Sequence, residues 1–217
     1  MICMIGGVNL HLDQLADACL SMGCEIQKSA PMSEYTSFRI GGPADLLITV
    51  PAIQKIQSVK PICEKNEIPL LLLGNGTNML VGDNGIRGVG TRLDGWLAQP
   101  VLTDGIIVCE AGAALKKLCR FARDNGLSGL EFAYGIPGTV GGAVYMNAGA
   151  YCGEMSDILL WVEALFPDGE IRRIEADKLE LGYRSSLFMK RGGVVTKAAF
   201  RLNPDRPEDI DSRMEEF

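Results

Sequence analysis

The segment Gly135-Ile-Pro-Gly-Thr-Val-Gly-Gly-Ala-Val-Tyr-Met-Asn-Ala-Gly-Ala-Tyr151 is at once rich in glycine and apolar. A flexible linker would be polar, so this composition predicts backbone packed against something flat. Glycine admits positive φ and lets main-chain amides approach a ligand closely, while Pro137 pre-sets one turn and offers no N–H. A second glycine cluster, Gly74-Asn-Gly-Thr-Asn78, directly follows the apolar run Leu70–Leu73. A buried strand running into a turn of free N–H groups builds an anion-binding nest. Together the two segments predict one extended ligand with a pyrophosphate and a planar ring system.

Two common nucleotide sites are excluded. No Gly-x-Gly-x-x-Gly opens a predicted helix and no Gly-Lys-Ser/Thr follows a glycine loop, so neither a Rossmann dinucleotide site nor a P-loop is supported. The 217 residues, 47% hydrophobic and 22% charged, suffice for one large or two small cores. Apolar runs such as Leu70–Leu73 and Ile106–Cys109 fall far short of the roughly 20 residues that span a bilayer, and the N-terminus has no signal-peptide pattern. A cytoplasmic protein without a membrane span is expected. The net charge of −6 and pI near 4.9 argue against a nucleic-acid partner.

The cysteines, Cys3, Cys19, Cys24, Cys63, Cys109, Cys119 and Cys152, include no Cys-x-x-Cys pair and read as reduced structural thiols. The single histidine, His11, falls in a predicted helix away from both glycine segments, so no metal site is expected.

Periodicity places a first helix from an Asn9 N-cap through Leu12, Leu15 and Cys19 to a stop at Gly23. Asp45–Val50, a helix over Ile53–Asn66 disturbed at Pro61, and a buried strand Leu70–Leu73 read as a β-α-β unit. Strands over Gly88–Leu93 and Ile106–Glu110 follow, then a helix over Ala113–Asn125 closed by Gly126. Ile158–Phe166, Glu170–Ile174 and Val194–Leu202 read as antiparallel strands, the first two joined by the tight turn Pro167-Asp-Gly169. Periodicity alone yields a mixed α/β domain.

Four motifs, Thr36-Ser-Phe-Arg-Ile-Gly-Gly-Pro43, Gly74–Asn78, Gly135–Tyr151 and Gly182-Tyr-Arg-Ser-Ser-Leu-Phe188, stand in the order and spacing of the UDP-N-acetylenolpyruvoylglucosamine reductase family, which this chain resembles over roughly Ser33 to Asn203. The resemblance implies an α+β, two-lobed FAD-binding fold of the vanillyl-alcohol oxidase and p-cresol methylhydroxylase type, with the flavin in the cleft between the lobes. On that pattern residues 1–32 are an N-terminal helix and lead-in, and residues 33–90 a first lobe with the pyrophosphate loop. Residues 91–203 form a second lobe, and 204–217 the start of a truncated or absent substrate domain. Gly74, Asn75, Gly76, Thr77 and Asn78 hold the pyrophosphate. Gly135, Pro137, Gly138, Thr139, Gly141, Gly142, Asn147 and Ala148 wrap the ring system, and Arg39 lies near it, with a surface salt bridge as the alternative for Arg39.

The same resemblance makes Arg184 the catalytic residue and Tyr183, Arg184 and Ser185 substrate-binding residues. An always-charged, planar, multi-donor group suits negative charge developing on an enolpyruvyl carboxylate and enol. The implied reaction, a step of peptidoglycan synthesis, uses NADPH to reduce non-covalent FAD. The flavin then passes hydride to UDP-N-acetylglucosamine enolpyruvate, giving UDP-N-acetylmuramate. In the family the proton comes from a serine in a Ser-Ala/Gly-Gly-Ser-x-Phe-Lys motif of a third domain, assisted by a late glutamate; neither occurs here, and the chain alone is expected to be a poor reductase. A non-catalytic flavin module and an oxidase of the same fold are the alternatives, although many such oxidases attach flavin through histidine, for which His11 is badly placed. Cys152 stands where the family usually has glycine; a buried, inert thiol is expected there, with a cysteinyl-flavin bond as the alternative.

Overall fold

The computed structural model describes residues 5–52, 54–93 and 99–217, with side chains described from residue 11 onward, Gln54 excepted. Cys3 lies outside the described residues. The chain divides into two compact units, residues 1–94 and 95–217.

The first unit runs α1 (Ile5–Ser21), β1 (Glu25–Pro31), β2 (Pro43–Val50), α2 (Gln54–Lys65), β3 (Leu70–Leu73) and β4 (Ile86–Leu93). Its sheet has the order β1-β2-β4-β3, with β1 antiparallel to β2 and β4 parallel to both β2 and β3. The helix stop at Gly23 follows from a Schellman cap: Gly23 has φ +78°, and the Cys24 and Gly23 N–H groups donate to Cys19 O and Leu20 O, each at 3.0 Å. The start differs from expectation, because α1 is already helical at Ile5 and Asn9 falls inside it. A cap preference of about 1 kcal/mol does not fix a boundary when the upstream turn can also be helical.

The Leu70–Leu73 run is a strand, but an edge strand, with Leu71 39% exposed and Leu73 buried. An unbroken apolar run is expected to be buried on both faces; here the strand pairs along one edge, and of its four residues only Leu73 is buried. Parallel neighbours need a connection of about a dozen residues, normally helical. The β3–β4 connection, residues 74–85, reaches that length without forming a helix.

The second unit runs β5 (Val101–Thr103), β6 (Ile106–Glu110), α3 (Leu115–Asp124), β7 (Leu127–Ser128), α4 (Val140–Met146), β8 (Gly149–Ala150), β9 (Gly153–Glu154), β10 (Leu159–Leu165), β11 (Ile171–Glu175), α5 (Leu187–Arg191), β12 (Val194–Arg201), β13 (Asn203–Pro204) and α6 (Pro207–Glu216). The main sheet, order β11-β10-β12-β6-β5, is antiparallel throughout, and the β10–β11 hairpin pairs Leu165 with Ile171 across the expected turn. Apolar residues of α3 at helical spacing, Leu115, Leu118, Cys119 and Ala122, are all buried. Helix α4 is not among the expected elements: seven residues inside the glycine segment form a helix whose Val140, Ala143 and Val144 are buried.

Helix α6 is locked to its unit by Arg213. The guanidinium donates to Glu131 Oε1 at 2.8 and 3.0 Å, and Glu131 also accepts from the Ser128 hydroxyl at 2.9 Å and the Gly129 N–H at 2.6 Å. Burial pushes the Glu131 carboxyl up, but Arg213, the backbone N–H groups and Ser128 outweigh it and hold the carboxyl below its ordinary 4.5. A depressed carboxylate stabilises the fold above its unfolded value and loses that contribution as the pH falls through the folded one. Glu131→Gln is therefore expected to cost about 1–3 kcal/mol at pH 7, because it strips a buried network of its charge. Thermal melts should show the wild-type advantage shrinking as the pH falls below 4.5.

Candidate functional site

In the first unit the Gly74–Asn78 turn leaves the carboxyl end of β3. Among the described residues, none of its five N–H groups has an acceptor. Gly74, Asn75 and Asn78 are exposed, whereas Gly76 is buried. Gly76 has φ +65°, its carbonyl accepts from Ser37 N–H at 3.1 Å, and a Cβ there would lie 1.9 Å from Tyr35 O. The glycine is required by the crossing of two backbone segments, a stronger reason than ligand approach. A cavity of about 200 Å³ opens beside the turn, lined by Glu34, Tyr35, Thr36, Ser37, Leu73, Gly74, Asn75 and Arg92. Arg39 is exposed, with φ +54° and its N–H bound to Thr36 O, and it forms no ion pair among the described residues.

In the second unit the glycine segment is held mostly by protein. The Val140 and Gly141 N–H groups donate to Ala113 O and Ala111 O at 2.8 and 2.9 Å. A Cβ on Gly141 would lie 2.8 Å from that of Ala111, so only glycine lets the start of α4 come this close. Thr139 caps α4, its hydroxyl accepting from Gly142 N–H at 3.2 Å, and Ala148 N–H donates to Ala143 O at 2.8 Å. Gly135, Pro137 and Gly142 are exposed and Gly138 is partly buried.

Asn147 ends α4 in the left-handed region, φ +43°, and is buried. Its Nδ2 donates to Gly182 O at 3.2 Å and its Oδ1 accepts from Ser156 N–H at 2.9 Å. The Ser186 hydroxyl donates to Tyr145 O at 2.7 Å. These bonds tether the Gly182–Ser185 turn, closed by reciprocal backbone bonds of 3.1 and 3.2 Å, to the end of α4. Arg184 occupies that turn at φ +49°, an uncommon conformation for a side-chain-bearing residue and of the kind that concentrates at functional sites. Tyr183 is 91% exposed, and the Arg184 guanidinium carbon stands 5.9 Å from its ring centroid.

A cavity of about 440 Å³ brings Asn147, Tyr183 and Arg184 together with Tyr151, Cys152, Glu154 and Asp157. The Ser156 hydroxyl and the Asn147 amide hold the Glu154 carboxyl below its usual range. Tyr151 and Cys152, at φ +48° and +64°, form the tip of the β8–β9 hairpin, and Tyr151 stacks on Phe217 with centroids 4.5 Å apart. Cys152 is exposed, contrary to expectation: the two-residue turn points its side chain outward. The other cysteines of the described residues are buried, as expected.

A model of the FAD binding domain family matches residues 44–175. The chain belongs to that family. Within it, UDP-N-acetylenolpyruvoylglucosamine reductase of Syntrophomonas wolfei is 44% identical over 88% of this chain and 64% of its own length, and that of Rubrobacter xylanophilus is 46% identical over 86% and 63%. The crystal structure of the Thermus caldophilus reductase superposes with a TM-score of 0.73 at 38% identity, covering 89% of this chain and 67% of that one. The chain thus spans less than two thirds of the length of these curated relatives. The fold is the α+β FAD-binding fold expected from the four motifs.

Motif reading missed Arg92 and the latching role of Asn147. The first stands outside every motif, at the carboxyl end of a strand beside the loop, and parallel register was the available signal. If Asn147 latches the Arg184 turn, Asn147→Asp, which keeps the Oδ1 acceptor but loses the donor to Gly182 O, should speed tryptic cleavage after Arg184 severalfold relative to other sites. Ser186→Ala should act in the same direction. Peptide mapping at matched thermal stability reads both.

Proposed function

We propose that this chain is the flavin-holding part of an NADPH-driven reductase of UDP-N-acetylglucosamine enolpyruvate, a cytoplasmic enzyme of peptidoglycan synthesis that binds FAD without a covalent bond. The observation that carries the reading is Arg184, a cation without an ion pair among the described residues, fixed at a tethered turn on the wall of a 440 Å³ cavity.

The residues present fit FAD. Five unused N–H donors at Gly74–Asn78 suit a pyrophosphate, and the Asn75, Thr77 and Asn78 side chains can add hydrogen bonds. The exposed Gly135, Pro137 and Gly142 offer a surface of low relief for a planar ring. The bound flavin would supply the hydride. Arg184 would neutralise negative charge growing on the enolpyruvyl carboxylate and enol oxygens, and the tethered turn holds its backbone in place beforehand. Tyr183 and Ser185 flank it and would contact the substrate. The Ser186 hydroxyl is committed to Tyr145 O, which leaves Ser185 as the serine of this turn free to meet a substrate.

Protein supplied with FAD should be yellow and lose its colour on acid precipitation; colour retained in the pellet would point to a covalent bond, with Cys152 the first suspect. Arg184→Ala should keep FAD affinity but lose the change in flavin absorbance on adding the enolpyruvyl nucleotide. In the chain joined to the portion of a relative that it does not match, the same substitution should cut substrate-dependent NADPH oxidation roughly a hundredfold to a thousandfold. Full turnover in that variant would refute the role assigned to Arg184.

A further inference from the structure

Arg92 is charged, partly buried and unpaired. Among the described residues its side chain makes no ion pair or hydrogen bond, its Nε is buried without a partner, and its guanidinium carbon stands 5.4 Å from the Tyr35 ring centroid. Buried cations are normally paired, and a buried orphan donor costs free energy unless something accepts from it. Arg92 lies near the end of β4, in register with Leu73 of β3, which is followed at once by Gly74. Ligands of open α/β sheets collect outside the carboxyl ends of parallel strands. Arg92, Gly74 and Asn75 all line the 200 Å³ cavity, so a guanidinium and unused N–H groups converge on one space.

We propose that this cavity is a phosphoryl site in which Arg92 is the counter-cation, standing over the Tyr35 ring and completed by the Gly74 and Asn75 N–H groups. The proposal deepens the flavin reading on which it rests, since the groups that the Gly74–Asn78 turn itself offers a pyrophosphate are all neutral donors and Arg92 would add a full positive charge. A planar guanidinium binds phosphate bidentately, and the partial burial of Arg92 beside Tyr35 limits the rotamers it must give up on binding. Glu34, exposed on the same wall, opposes an anion and sets the sign of a second test.

The experiment titrates the 217-residue chain with FAD, riboflavin and inorganic pyrophosphate, reading flavin fluorescence for the first two and thermal stabilisation for the third. Arg92→Gln should weaken FAD by about tenfold to a hundredfold, abolish stabilisation by pyrophosphate and leave riboflavin affinity unchanged. Arg92→Lys should recover part of the loss, and Glu34→Gln should tighten pyrophosphate. Unchanged FAD and pyrophosphate binding in a folded Arg92→Gln, or equal weakening of FAD and riboflavin, would overturn the proposal. If wild type responds to pyrophosphate through Arg92 but binds neither flavin, the phosphoryl site stands and the flavin reading falls. If wild type responds to none of the three, both fall. Should Arg92→Gln not fold, Arg92→Lys and Glu34→Gln decide: pyrophosphate affinity unmoved by either removes Arg92 from the site.

Discussion

Backbone pressed on backbone is the constraint on which the first unit depends. The β3–β4 connection has no helix to support it, so it leans on the segment between β1 and β2. A side chain on Gly76 would lie within 2 Å of Tyr35 O, and one on Gly42 equally close to Asp83 O. With no side chains interposed, the two segments brace each other through main-chain bonds such as Ser37 N–H to Gly76 O and Gly42 N–H to Gly82 O. That bracing leaves the N–H groups of the turn unspent. The turn is ordered by its neighbours rather than by its own hydrogen bonds, which is why its donors remain available.

The second unit solves the matching problem with a side chain. Asn147 tolerates a left-handed backbone better than most residues, so it can end α4 and still aim its amide at two separate turns. One of these carries Arg184 and the other carries Ser156 and Glu154. A single buried amide thus fixes a cation and a carboxylate on one cavity wall.

The fold was legible where local signals agree with tertiary demands. Alternation, the Gly23 and Gly126 stops and the Pro167-Asp-Gly169 turn located most of the main strands and helices. It was less legible where tertiary demands prevail: Leu70–Leu73 went to an edge that its composition did not suggest, and α4 formed from glycines and β-branched residues of poor helix propensity because its apolar side is buried against its unit. For the site, the motifs brought Arg184, Tyr183 and Asn147 to one cavity. They could not show that Thr139, Gly142 and Asn147 spend their polar groups inside the protein, because spacing reveals proximity along the chain and not which atom meets which.

The hairpin tip at Tyr151 and Cys152 has a further consequence for how this chain ages. Burial pushes the Cys19, Cys109 and Cys119 thiols up to about 12 and that of Cys63 to about 11, and the largest influence on Cys24 is the same. Thiolate is the reactive form, so these side chains are nearly silent toward oxidants and alkylating agents. Cys152 is instead exposed and opens onto the same cavity as Arg184. Chemical wear on the described thiols therefore begins at the rim of the candidate site, while the thiols of the core remain intact.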